Sequence, residues 1–311
     1  MTAANSSAHD PHRWRAQSWN SSGFFRLIEE IIGRLPEDFS EQLGELLAHW
    51  AGWLLPGTLK ALRANIAGVR PGLPAAEYEI LARRTLVQYG LGVKDYLLQS
   101  ADRLQKFEMT GEPSQGVREL MAQGKGFLIV SAHYGNFELG SYMLQKHNMQ
   151  AAIIALPEEV AAIDAMRVRN RKAFGVETLA VGSELDTFFA AKRHLAQGRA
   201  LAMLVDRQLP KNGIPVNWFG KRCFFLRTPA QLARHSGAPL VPVSVTRLGQ
   251  SRYHMDCGEP VVVPGTRHES DLVDAMQKVA DFFAARIARH PDQWFNFYDY
   301  FAAASEPGSG G

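Results

Sequence analysis

The spacing of apolar residues changes along the chain, and the change separates two kinds of architecture. From residue 23 to about 66 apolar positions recur every three or four residues, the period of a helix face. Phe24, Phe25, Leu27, Ile28, Ile31 and Ile32 make one such face, and after Leu35-Pro36 the series Leu43, Leu46, Leu47, Trp50, Trp53 and Leu54 makes another. Pro56-Gly57 interrupts this series, which resumes over 59–66, and 76–100 reads as a further helix carrying Tyr78, Leu81, Leu86, Tyr89 and Leu98. Beyond it, short apolar runs alternate with helical patterns. Strands are predicted at 106–110, 127–130, 151–156, 176–181, 200–205, 240–245, 253–257 and 261–263. Helices are predicted at 117–123, 137–147, 157–174, 184–197, 227–236 and 271–289. Strands that alternate with helices imply an α/β fold, a mainly parallel sheet flanked by helices. The N-terminal helical region suits either packing on that domain or lying in a membrane interface, since Trp, Leu and Phe crowd its apolar faces. The expected organisation is a flexible tail over 1–22, a helical membrane-proximal region over 23–100, an α/β domain over 101–303 and a disordered Gly/Ser-rich tail over 304–311.

At 311 residues, with 46% hydrophobic and 21% charged side chains, the chain can bury a large core. Its net charge of +3, with arginine spread along the sequence, carries no nucleic-acid footprint. Cys223 and Cys257 form neither a CxxC pair nor a ligand cluster, so free thiols are expected and no metal site. No apolar run reaches the roughly eighteen residues that span a bilayer. Residues 1–20 contain no apolar segment of the secretory type.

The candidate chemistry centres on Gly126-Phe-Leu-Ile-Val-Ser-Ala-His133-Tyr134-Gly135-Asn136-Phe137-Glu138. The strand ends into small and polar residues, Asn136 is placed to cap the helix expected after it, and His133 falls in the turn between them. Glu138 falls in the first helical turn. On one helix a separation of five residues would turn His133 and Glu138 about 140° apart, whereas in a strand-to-helix turn they can converge. A carboxylate bonded to one imidazole nitrogen fixes the tautomer and leaves the other as a base, suited to deprotonating a hydroxyl. A histidine that merely ends a strand and a glutamate that favours a helix N-terminus fit the same spacing.

Four blocks follow. Arg167-Val-Arg169-Asn-Arg171-Lys172 places cations on a helix that ends at Gly175, either a solvated face or an anion site. Asp206-Arg207 follows directly after a strand, at the sheet edge where α/β proteins place their sites. Asn217-Trp218-Phe219-Gly220-Lys221-Arg222 reads as an aromatic and glycine turn beside cations, and Arg227 to Arg234 as a helix before Gly237-Ala-Pro-Leu-Val-Pro-Val243.

His133-x4-Glu138 after a hydrophobic strand, Arg171-x3-Gly175, Asp206-Arg207, Phe219-Gly220 and Ala233-Arg234-x2-Gly237-Ala238-Pro239 occur in an order that resembles the bacterial lipid A late acyltransferases. These lauroyl and myristoyl transferases fall within the lysophospholipid acyltransferase superfamily, which also holds the mannoside acyltransferases of mycobacteria. The resemblance runs from about Trp50 to Trp294 and includes Arg63-Ala64-Asn65-Ile66. It implies that His133 is the general base and Glu138 the acid that orients it. It also implies that Arg171 holds the acceptor or the donor phosphate, that Asp206 is structural or edges the substrate, and that Phe219-Gly220 is the loop bordering the cleft, with Arg207 and Asn136 as further substrate-binding candidates. Tyr134, Asn136 and Lys221 are candidates to stabilise an oxyanion. The implied donor is an acyl carrier protein or coenzyme A thioester, attacked directly without an acyl-enzyme and without a cofactor. The implied acceptor is a hydroxyl, or an amine, of a lipid or glycolipid, of lipid A type, with an aryl-polyene or ornithine-lipid type acceptor as the alternative. The implied location is peripheral, on the cytoplasmic face of the bacterial inner membrane. Where the lipid A enzymes carry a basic run after Pro-x-Gln, this chain has the aromatic and acidic Pro291-Asp-Gln-Trp-Phe-Asn-Phe-Tyr-Asp-Tyr-Phe301.

Two other function classes compete with this one. A catalytically silent lipid-binding homologue would require neither His133 nor Glu138. A hydrolase would require a nucleophile, and there is no G-x-S-x-G elbow; Ser131 is the near candidate. The aromatic residues Phe224, Phe225, Phe282 and Phe283 are candidates for an acyl cleft or for core packing.

Overall fold

The computed structural model describes residues 54–97, 107–140, 146–155, 161–180, 184–207 and 213–305, together with Phe39, Gln42, Leu43, Leu46, Trp50 and Leu144. The expected N-terminal tail, most of the 23–53 helical pattern, residues 306–311 and Pro157 at the expected helix start lie outside these. In chain order the elements are α1 Pro56–Val69, α2 Ala75–Leu97, β1 Glu108–Thr110, α3 Gln115–Ala122, β2 Phe127–Ser131, β3 Ala151–Ala155, α4 Ala161–Ala173, β4 Val176–Ala180, α5 Glu184–Ala196 and β5 Ala200–Leu204. They continue as β6 Gly213–Trp218, β7 Lys221–Leu226, α6 Thr228–Ser236, β8 Leu240–Gly249, β9 Arg252–Cys257, α7 Glu269–Ile287 and α8 Tyr300–Ser305.

Seven strands form one sheet in the order β1-β9-β8-β2-β5-β3-β4. Every pairing is parallel except β8 with β9, so the α/β reading holds with one antiparallel step. Period-two alternation sends Leu128 and Val130 to one face of β2, into the core shared with α5, α6 and α7, and Phe127 and Ile129 to the other. The central strands are therefore apolar on both sides, as a covered parallel sheet requires. Helices α1 and α2 close a smaller core around Leu59, Leu62, Ile66 and Ala82.

Three expectations are corrected and one interruption is confirmed. Residues 213–226 form a separate antiparallel hairpin, β6–β7, of which the sequence reading recognised only the turn. Residues 261–263 are not a strand: Val261 makes a single bridge to Leu240. The interruption expected at Pro56-Gly57 is present: Leu54 is helical, Leu55 is not, and Pro56 opens α1, where a missing N–H costs nothing in the first turn. After His133 the chain makes a short 3-10 turn, Phe137–Leu139, before helical positions at Gly140, Leu144 and Lys146.

Candidate active site

The site grows out of strand register. β2 and β5 are neighbours, with Ser131 opposite Leu204, and the Val205 N–H donates to the Ser131 carbonyl at 2.9 Å. Two residues beyond that pair lie His133 and Asp206, side by side at the carboxyl edge of the sheet. The chain must then turn sharply, and Gly135 allows it: its φ is +60°, and a Cβ there would collide with the Val245 carbonyl.

Asp206 is fully buried, and its carboxylate is saturated with donors. Oδ1 lies 2.6 Å from His133 Nδ1 and accepts the His133 backbone N–H at 3.0 Å. Oδ2 accepts Trp294 Nε1–H at 3.0 Å and Asn296 Nδ2–H at 3.4 Å. Burial alone would raise the Asp206 carboxyl, but the His133 charge, the hydrogen bonds from His133 and Trp294, and nearby Arg207 outweigh it and hold the pKa down at about 2. An ionised Asp206 has only acceptors, so Nδ1 must carry the proton in this pair. In the neutral ring that leaves the Nε2 lone pair open, and the His133 side chain is 17% exposed. Such an arrangement can act as an oriented base.

The depressed carboxyl also makes a pH prediction. A group whose folded pKa is lowered stabilises the fold above its unfolded value, here an ordinary 3.8, and loses that contribution as pH falls toward about 2. Asp206→Asn should therefore flatten the loss of thermal stability between pH 4 and 2 by about 2 kcal/mol. Melting curves of both proteins across that window check it.

Glu138 is also buried, but its partner is Arg171. The guanidinium Nη2 lies 2.8 Å from Oε1 and Nε lies 3.3 Å from Oε2, a two-point contact, with Arg167 Nε at 4.0 Å. The expectation that Glu138 orients His133 is thus corrected: Asp206 does so, because strand register places it there, while the 3-10 turn aims Glu138 at α4. Arg171 spends its fork on Glu138, inside the protein.

A model of the bacterial lipid A biosynthesis acyltransferase family matches residues 11–302. The chain belongs to that family. It is also similar to the phosphatidylinositol mannoside acyltransferase of Mycobacterium tuberculosis, 25% identical over 244 residues that cover 76% of this chain and 75% of that protein. The protein of the same name from Mycolicibacterium smegmatis is 25% identical over 267 residues, covering 85% and 86%. This protein is accordingly an acyltransferase of lipid biosynthesis.

The other expected site residues of the acyltransferase take different places. Arg207 lies beside Asp206 and over the Tyr298 ring, 5.6 Å from its centroid. Asn136 is buried at the N-cap position of the 3-10 turn but makes no side-chain capping bond; its amide donates to the Gly92 carbonyl at 3.4 Å and its backbone N–H to the Val245 carbonyl at 2.9 Å. Phe219 and Gly220 both have positive φ, +53° and +73°, and form the two-residue loop of the β6–β7 hairpin. The Phe219 ring packs on Trp218, Trp294 and Phe301, next to the indole that bonds Asp206. Lys221 sits over Phe301. Tyr134 points away from His133, into the core under α7, where its hydroxyl accepts from Thr246. Ser131 donates to the Val243 carbonyl at 2.8 Å, so its hydroxyl is committed to the backbone. Phe225 and Phe283 are core residues.

The sequence reading missed Trp294 and Asn296 as site residues. They ride on a strap, 293–300, that lies against the catalytic turn. Gly135 N–H donates to the Gln293 carbonyl at 2.8 Å, and Phe295 N–H to the His133 carbonyl at 2.7 Å. The Gln293 amide pins the strap to β8 through both backbone groups of Arg247, at 2.8 and 2.9 Å. The signal was the aromatic run after Pro291, which stood out only as a departure from the family pattern.

Proposed function

We propose that the protein transfers a fatty acyl group from an acyl carrier protein or coenzyme A thioester to a hydroxyl of a lipid A-type glycolipid, with His133 as general base and Asp206 as its orienting acid. The observation that carries this reading is the 2.6 Å His133–Asp206 bond at the sheet edge, which ties Nδ1 of a partly exposed imidazole to a fully buried carboxylate. Nε2 takes the proton of the acceptor hydroxyl as its oxygen attacks the thioester carbonyl carbon. The Asp206 charge stabilises the imidazolium formed. The tetrahedral oxyanion then collapses, the C–S bond breaks, and the imidazolium returns its proton to the departing thiolate. No covalent acyl-enzyme is required. Exposed Arg169 and Lys172 on α4, beside the Glu138–Arg171 pair, suit a phosphate-bearing headgroup.

The test is incubation of purified protein with labelled acyl thioesters of both carriers and three acceptors: a lipid A precursor, a mannosylated phosphatidylinositol and an ornithine lipid. Label in the lipid A precursor supports the reading. Label confined to the mannosylated lipid would move the acceptor toward that of the two relatives, and label confined to the ornithine lipid would remove the sugar altogether.

The same reading includes peripheral attachment to the cytoplasmic face of the inner membrane. Among the described residues no helix is long and apolar enough to cross a membrane. Leu46, Trp50 and Leu54 are helical, four residues apart and 55%, 59% and 77% exposed, a single apolar stripe of the interfacial kind. Replacing all three by lysine-free polar residues such as glutamine should release the protein from sedimenting anionic vesicles. Undiminished co-sedimentation would contradict the assignment.

A further inference from the structure

Helix α1 lies outside the sheet and takes no part in the chemistry described above, yet one of its side chains reaches the catalytic strap. Asn65 is 2% exposed, and all of its hydrogen-bonding groups that face the strap are used on backbone. Its amide donates to the Asn296 carbonyl at 2.8 Å and to the Tyr298 carbonyl at 2.8 Å, and its Oδ1 accepts the Tyr300 N–H at 2.8 Å. Residues 296–299 have no helix or strand to satisfy these groups, and a buried backbone group left unpaired is costly. Within Arg63-Ala64-Asn65-Ile66, Arg63 turns outward to Glu79 while Asn65 turns in.

We infer that Asn65 is a positioning residue for the reaction: it clamps the 296–300 segment so that Trp294 and Asn296 stay seated on Asp206, and through Asp206 it sets the orientation of His133. This rests on the reading of His133–Asp206 as the base. The linkage is continuous. Asn65 holds the backbone of Asn296, whose own side chain donates to Asp206, and the same short segment follows Trp294, whose indole donates to the same oxygen. Three bonds of opposite polarity explain the residue type. Alanine removes all three, aspartate keeps the acceptor for Tyr300 but loses both donors, and glutamine is one methylene too long for the same geometry.

The test is a double-mutant cycle in kcat/KM with Asn65→Ala and Trp294→Phe, together with hydrogen exchange of the tryptophan indoles. Asn65→Ala should lower kcat about ten- to a hundredfold through misplacement of the pair, with KM little changed. The double variant should be no slower than the worse single variant, because both act on the same carboxylate. The Trp294 indole N–H should lose exchange protection while that of Trp218, which donates to Ala280 in the neighbouring core, keeps it. Wild-type activity in Asn65→Ala, or losses that multiply in the double variant, would overturn the inference. If Asn65→Ala does not fold, Asn65→Asp enters the same cycle with the same expectations. His133→Ala runs beside them: transfer at the wild-type rate there would sink the base itself, a result separable from a failed cycle.

Discussion

Asp206→Asn is expected to lower acyl transfer by about a thousand- to ten-thousand-fold with little change in KM. The side chain keeps its shape, so the loss comes from chemistry. Both carboxylate oxygens accept from fixed donors, His133 on one side and Trp294 with Asn296 on the other. An amide has one acceptor end, so whichever way it turns, an N–H meets an N–H. If the amide end faces His133, Nδ1 must accept and the proton moves to Nε2, where the base is needed. In either orientation the imidazolium loses its counter-charge. Steady-state rates with one donor and one acceptor, alongside melting curves, separate this from unfolding. A variant that retains more than a tenth of wild-type kcat would show that Asp206 does not act through His133.

The second large effect concerns the other buried carboxylate. Glu138→Gln should destabilise the fold by about 3–5 kcal/mol, because it removes the carboxylate that meets the buried Arg171 guanidinium at two points. Both side chains are less than a tenth exposed, so solvent cannot take over the role. Replacing both partners, as in Glu138→Gln with Arg171→Met, should recover much of that loss, since an apolar pair leaves no charge behind. Denaturant unfolding of the single and double variants measures it. If Glu138 instead oriented His133, Glu138→Gln would leave stability intact and lower kcat alone, the opposite pattern.

These two carboxylates show where sequence was legible and where it was not. The apolar runs marked all seven strands of the main sheet because the faces of its central strands are covered, and the strand-to-turn placement of His133 was visible for the same reason. Partner choice was not visible. His133 and Glu138 are five residues apart and Asp206 is seventy-three away, yet register between β2 and β5 brings the distant residue to 2.6 Å. Local spacing carries no information about which strands are neighbours. The β6–β7 hairpin was hidden for a different reason. Ile214, Val216 and Trp218 alternate inward with strand period, but Gly213, Pro215 and Asn217 between them read as a loop. The strap was hidden because its hydrogen bonds go to turns and side chains, which leave no periodic signature. The expected placement of a helix cap at Asn136 failed because the segment begins with a 3-10 turn and its amide is drawn to α2 instead.

The most direct measurement of the central claim is single-turnover transfer of labelled acyl groups by the wild-type protein and by His133→Ala, with the intact protein mass recorded during the reaction. Transfer should be about a hundred- to ten-thousand-fold slower in the variant, with no acyl adduct on the wild-type protein at any time. Equal rates in the two proteins, or an adduct that forms and decays at the rate of transfer, would contradict it.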